Sequence, residues 1–247
     1  MMKRRLIISV ISAMALLLTQ CGKDEGICFS PTGKTIIENR TASPFHYVEI
    51  HDNINLILTQ DPSGTGIAVE AGENVMEGIT TEIENGRLVL RNVNTCNWLR
   101  SFDVPVNVYL TFTRLDTLIT RAAGNISCTN YWSNESVSFE MIEGAGKINL
   151  KLDVFKSHIF IRYGTASVNI SGSSQVTFLI SHGYGPLHAE NLNSKFSYVS
   201  SFSPNDVFVN STVELSAEIG NIGNIYYSGD PPVIYTNIIG GGKVVKL

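Results

Sequence analysis

In the second half of the chain a small or turn-prone residue returns at nearly fixed spacing, each time followed by a short alternating apolar strand. This feature constrains the fold more than any other. The markers Gly124, Gly146, Ala166, Gly185, Asn205, Gly223 and Gly242 are separated by 22, 20, 19, 20, 18 and 19 residues. A second column two residues earlier runs Ala122, Gly144, Gly164, Gly183, Ser203, Asn221 and Gly240. Apolar alternation follows the markers, as in Ile148-Asn149-Leu150 and Val168-Asn169-Ile170, and again half a unit later, as at 137–141 and 176–180. A period near 20 with two strands per period predicts a coiled, stacked all-β architecture. One extended unit of that length covers about 65 Å, enough to circle a small core with two or three flat faces. Each coil would then hydrogen-bond to its neighbours about 4.8 Å above and below.

Stacking in register predicts inward ladders. One is expected through Phe139, Ile159, Phe178, Tyr198 and Leu215, another through Ile148, Val168, Leu187, Val207 and Ile225. The corner glycines are expected to supply a backbone state that Cβ disfavours. Asn205 and Asn221 fit that reason, since Asn tolerates the left-handed region best after Gly. Ala166 does not fit it. A β-sandwich is the competing fold, but its turn spacing need not stay even over so many intervals.

Ahead of the repeat, alternating strands are expected at 45–50, 54–58, 67–71, 79–83, 88–90, 104–110 and 115–120. Asn85-Gly86 between the fourth and fifth is the signature of a tight hairpin. Residues 91–101, with Trp98, are the least regular interval. At 43% hydrophobic and 16% charged, the composition leaves ample material for a core.

The first 20 residues are basic at Lys3, Arg4 and Arg5 and then apolar from Leu6 to Leu18, which is the pattern of a secretory signal peptide. Without them the chain keeps 15 basic residues against 22 acidic ones. No basic stripe is left that would serve nucleic acid. Leu18-Thr19-Gln20-Cys21 resembles the bacterial lipobox, with Gln20 in place of the usual small residue. The resemblance implies cleavage before Cys21 and acylation of its sulfur, which would tie the chain to a lipid bilayer. Lys23-Asp24-Glu25 resembles the export signal of Bacteroidetes surface lipoproteins. Residues 21–42 read as a lipidated cysteine and flexible tether, and 43–247 as one folded domain. Export permits disulfides, and Cys96 with Cys128 is the candidate pair, since Cys28 sits in the tether.

The chain also resembles a known family, the putative auto-transporter adhesins with a "head GIN" domain. The likeness rests on Asn55-Leu56-Ile57-Leu58-Thr59-Gln60, Val69-Glu70-Ala71, Asn85-Gly86-Arg87-Leu88, Gly144-Ala145-Gly146-Lys147-Ile148-Asn149 and the stretch from Gly223 to Pro231. It implies a right-handed parallel β-helix and an adhesive role, with no catalytic residues to carry over.

Candidate sites are sparse. Glu140, Glu143, Asp153, Glu190, Asp206, Glu214 and Glu218 are spread singly through the coils, whereas glycan cleavage needs paired carboxyls on one face. His182 and His188 stand six apart across a corner bent by glycines and Pro186, and no spacing of Cys and His suggests a metal site. Coil phase places Glu143, Tyr163, His182 and Phe202 each one residue before the second marker column, as a candidate ligand-contact row along one corner. Tyr131-Trp132 is a further candidate contact. The expectation is a non-catalytic binding or adhesion module for a protein or glycan ligand, lipid-anchored at the outer membrane, with no cofactor. A glycan-active enzyme and a structural envelope spacer are the alternatives.

Overall fold

The computed structural model describes residues 31–41, 43–95 and 104–247. The signal segment, Cys21, the Lys23-Asp24-Glu25 run, Cys28, Cys96 and Trp98 lie outside the described residues. What is described is an all-β parallel solenoid of about six turns with a less regular N-terminal region.

Its centre is three strands of 15 residues each, β11 (Lys147–Ile161), β12 (Ser167–Ser181) and β13 (Leu187–Ser201), stacked parallel along almost their whole length. Each of these strands bends round the core instead of crossing it. On the N-terminal side they continue into β10 (Trp132–Met141), β8 (Thr117–Ala122) and β9 (Ile126–Cys128). On the C-terminal side the coils split into β14 (Val207–Asn210) with β15 (Glu214–Ile219), then β16 (Ile225–Ser228) with β17 (Val233–Ile238), then β18 (Val244–Lys246).

The first coil in sequence is not the end coil in space. Strands β2 (Tyr47–Asp52) and β3 (Ile54–Gln60) lie inside the stack. Strand β2 is sandwiched between β8 and β6 (Arg87–Asn92), and β3 between β9 and β7 (Val106–Phe112), all parallel. The chain therefore leaves the first coil, builds the layer beneath it, and climbs back over. The lower end is closed by antiparallel strands: β4 (Gly66–Gly72) on β7, β1 (Thr35–Arg40) on β4, and β5 (Ile79–Glu84) on β6 through the Asn85-Gly86 hairpin. Both hairpin residues have positive φ, 52° and 77°, as a two-residue turn between twisted strands requires. Antiparallel closure protects strand edges that would otherwise invite pairing with another chain.

Several expectations need correction. Strand β1 falls within the stretch read as tether. Nearly all its side chains are exposed, so it carries no apolar alternation for a sequence reading to detect. Of the two predicted ladders, Ile148–Val168–Leu187–Val207–Ile225 is in register and buried to 1% exposure or less. The other slips by one residue. Phe139 and Ile159 stack on Leu179, Val199 and Ala217, while Phe178 and Tyr198 point outward and Leu215 stacks on Ser197. A single-residue slip moves a side chain to the opposite face of the strand, because side chains alternate with period two.

The reason for the corner columns also changes. Among the markers only Gly146 and Gly164 have positive φ, and neither Asn205 nor Asn221 does. Close approach of adjacent coils is what excludes a side chain there: a Cβ on Gly185 would stand 1.9 Å from the Ala166 carbonyl oxygen, and one on Gly223 would stand 2.2 Å from that of Asn205. The two asparagines serve a different purpose. Their side-chain amides donate to the preceding coil, Asn205 to the Tyr184 carbonyl and Asn221 to the Phe202 carbonyl at 3.0 Å. At the C-terminal end Lys246 pairs with Asp230, and the last coil keeps large apolar side chains in contact with solvent. Ile234, Ile238 and Ile239 stay 42%, 50% and 70% exposed.

Candidate functional site

Because inward positions hold the core, recognition has to come from the outward positions of the stacked strands. Parallel registration turns those positions into columns, and among the described residues three sets of aromatic rings meet across the coils. Along the first, His158, Phe178 and Tyr198 stack with centroids 5.0 and 5.2 Å apart and planes within 18°. The second, on the other half of the coil, runs His188, Phe208 and Tyr226 at 4.7 and 5.0 Å, within 11°. The third, at a corner, places Phe160 edge-on to His182, which stacks on Phe202 at 4.8 Å, with the Arg162 guanidinium 4.5 Å from the Phe160 centroid. Coils about 4.8 Å apart set rings at stacking distance without further adjustment.

The expected corner row is divided. Backbone bonds align Arg162, His182, Phe202 and Gly220, each amide donating to the coil before it. Tyr163 and Glu143 lie one position further along. Thus His182 and Phe202 meet, Tyr163 stands apart at 64% exposure, and Glu143 faces Arg121 at 3.9 Å. Phe202 also covers Gly220, where a Cβ would come within 2.2 Å of its ring. Tyr131, just before β10, and Trp132, its first residue, have opposite surroundings. Tyr131 is exposed, while Trp132 is buried and donates its indole N–H to the Leu115 carbonyl at 2.8 Å. Cys128 points inward in the column of Leu58 and is a buried thiol whose pKa burial pushes up. Its candidate partner Cys96 lies outside the described residues. Among the described residues no group of three His, Cys, Asp or Glu is placed to hold a metal ion.

The sequence reading missed a charged cluster on the outer face of β2. Glu49 is held between Arg87 on one neighbouring coil and Arg121 on the other, at 3.2 Å from the latter, with His51 Nε2 3.1 Å away. Only register brings 49, 87 and 121 together, so no local motif announces them. Burial raises the Glu49 pKa, but the arginine hydrogen bonds and the charges of Arg87 and His51 outweigh it and leave the carboxyl below its ordinary value. A depressed folded pKa means the stabilisation is present above about pH 4.5 and is lost as pH falls through the folded value. Glu49→Gln should therefore cost about 1–3 kcal/mol at pH 7, and urea denaturation at pH 3 should show the gap closing. A gap that does not change with pH would mean the cluster contributes nothing through charge.

Residues 44–231 match the family model described as "Putative auto-transporter adhesin, head GIN domain". Among solved structures, a putative adhesin from Bacteroides fragilis superposes with a TM-score of 0.80 at 20% identity, covering 88% of this chain and 99% of that one. A putative adhesin from Parabacteroides distasonis gives a TM-score of 0.65 at 17% identity, covering 87% and 98%. A protein from the same organism described as a putative lipid binding protein gives 0.65 at 18%, covering 87% and 97%. At these identities the likeness shows the shared fold. No curated protein matches the chain.

Proposed function

We infer that this chain, which belongs to the family of putative auto-transporter adhesins with a head GIN domain, is a non-catalytic binding module held at the outer membrane by acylated Cys21. Membership of the family supports a binding or adhesion role and a place at the cell surface. The observation that carries the reading is the pair of solvent-facing ring columns, His158–Phe178–Tyr198 and His188–Phe208–Tyr226, on the long faces of a stacked sheet. A ring packed between rings has already lost its rotamer freedom on folding, so a ligand meets a preorganised apolar surface and binding costs less entropy. Aromatic faces suit the C–H faces of sugars and the apolar side chains of proteins alike.

The acids speak for binding over cleavage. Each of several is taken up by a neighbour: Glu140 by Arg162 and Asp153 by Ser173, both at 2.6 Å, and Glu190 by His188 at 3.2 Å. Glu214 and Glu218 lie four residues apart on one strand, which sets them about 13 Å apart. Glycoside hydrolysis uses carboxyls roughly 5–9.5 Å apart.

The reading is tested with full-length protein on a glycan array and in pull-downs from envelope and host-surface extracts. Phe208→Ser/Tyr226→Ser should lose captured ligand at least tenfold while keeping a β-rich circular dichroism spectrum. Unchanged capture in that variant, or turnover of a polysaccharide library, would count against it. Cys21→Ser should abolish palmitate labelling and leave the membrane fraction. Persistent labelling would overturn the anchor.

A further inference from the structure

The first aromatic column is interrupted one coil before its end. His158, Phe178 and Tyr198 occupy successive coils, Ser216 occupies the next, and Tyr235 the one after. Where a ring is due, the chain supplies a hydroxymethyl group. Two coils separate the Tyr198 and Tyr235 backbones by about 9.6 Å. Rings below the gap stack at 5.0 and 5.2 Å, so one flat ring inserted over Ser216 would lie at about that distance from both tyrosines. An open groove of about 360 Å³ does lie there, lined by Phe178, Tyr198, Ser216 and Tyr235.

The edges of the gap are polar. The adjacent outward column runs Ile180, Ser200, Glu218 and Asn237. Ser200 donates to one Glu218 oxygen at 3.0 Å and Asn237 donates to the other at 3.2 Å, which fixes the carboxylate at the groove's side. On the other side of Ser216, along the same strand, Glu214 lies beside the Tyr198 hydroxyl. The gap thus has two aromatic walls, a hydroxyl floor, and a carboxylate at either edge.

We propose that this gap is a binding site for a single neutral pyranose ring, seated over Ser216 with its two faces against Tyr198 and Tyr235 and its hydroxyls donating to Glu214 and Glu218. The inference rests on the binding-module reading and names its ligand class. A sugar ring combines apolar C–H faces with a rim of hydroxyls, which matches walls and edges at once. An aromatic side chain of a protein partner would fill the space but offer the two carboxylates at most one donor, a tyrosine hydroxyl or a tryptophan N–H, where a pyranose offers several. Two carboxylates also repel an anionic sugar, so uronic acids are disfavoured.

Saturation-transfer NMR on the full-length protein with methyl glucoside, methyl galactoside, methyl mannoside and methyl glucuronide tests this. At least one neutral glycoside should bind with a millimolar Kd and saturate most strongly at its ring C–H protons, while the glucuronide binds at least fivefold more weakly. Ser216→Tyr restores the missing ring and fills the gap. It should weaken binding at least tenfold with a melting temperature equal to or above that of the natural chain. Tyr235→Ala, on the exposed last coil, should weaken binding similarly. Equal binding by Ser216→Tyr, failure of every neutral glycoside, preference for the glucuronide, or displacement of the sugars by N-acetyltyrosine amide at lower concentration would each overturn the proposal. None of these outcomes decides the broader binding role. That role stands or falls on the Phe208→Ser/Tyr226→Ser capture experiment, which probes the other column.

Discussion

Gly172→Ala is expected to cost at least 3 kcal/mol, an unusual loss for the addition of one methyl group. Gly172 sits in register between Leu152 and Leu192 in the short segment joining the two long faces. Its φ is +114°, a conformation that residues with a Cβ rarely adopt, and an added Cβ would stand 1.9 Å from the Leu152 carbonyl oxygen. Strain alone accounts for about 1–3 kcal/mol. Relieving the contact would push β11 and β12 apart and lengthen hydrogen bonds on both sides of it. Two other glycines separate the contributions. Gly86 has positive φ, +77°, with nothing within 4 Å of a Cβ, so Gly86→Ala should show strain alone, about 1 kcal/mol. Gly64 has neither feature, and Gly64→Ala should stay within about 0.5 kcal/mol. Urea denaturation of the three variants should rank them in that order. If Gly172→Ala proves no worse than Gly86→Ala, the coils do not approach as closely at that corner as the register requires.

The second large effect is expected at Trp132. Its side chain is 1% exposed and begins the inward column that continues through Leu152. Trp132→Ala should cost about 3–5 kcal/mol, through the apolar surface returned to water and the cavity left behind. Trp132→Phe keeps most of the volume but loses the indole N–H donated to the Leu115 carbonyl. That carbonyl would not be stranded, because Asn134 Nδ2 also donates to it at 3.3 Å, so the cost should be near 1 kcal/mol. Chemical denaturation of the two variants separates packing from hydrogen bonding. A small loss in Trp132→Ala would instead revive the idea that this ring faces solvent as a contact residue.

The contrast between Trp132 and Phe178 shows how far the chain could be read in one dimension. Both are aromatic residues in alternating strands of the repeat, and the sequence reading took Trp132 as a candidate contact and Phe178 as core. The structure has them the other way round. Alternation tells which residues share a face of a strand but not which face turns inward, and a phase error of one inverts the assignment. The ladder through Ile148 escaped this error because each strand there follows its corner marker at once, leaving no room for the phase to drift. Phe178 lies half a coil further on, where no marker fixes the phase: the expected ladder stepped 19 residues from Ile159 to Phe178, whereas β11 and β12 keep an offset of 20 on both sides of the bend, so that Ile159 meets Leu179 and His158 meets Phe178.

A buried hydroxyl cluster was beyond the sequence reading for a related reason. Ser157 meets Ser174 at 3.2 Å and Thr177 at 3.1 Å, and Ser194 donates to Thr177 at 3.0 Å. Serine reads as a turn or surface residue when met singly. Here it fills an inner bend, where short side chains fit and each hydroxyl finds a partner on the next coil. Glu49 with Arg87 and Arg121, and the gap at Ser216, belong to the same class. Each exists because residues about 20 to 70 apart in the chain become neighbours across 4.8 Å.

The sequence by itself determined the repeat, the strand content, the Asn85-Gly86 hairpin and one complete core ladder, because each depends on spacing within one coil or on a period that holds from coil to coil. Only the tertiary structure decided which ring columns face solvent, that the first coil lies inside the stack, and that close approach of adjacent coils, more than left-handed backbone, is why most of the corner glycines are glycine. These depend on how one coil sits on the next, and that is set by corner lengths and antiparallel closure across the whole chain, which no local pattern records.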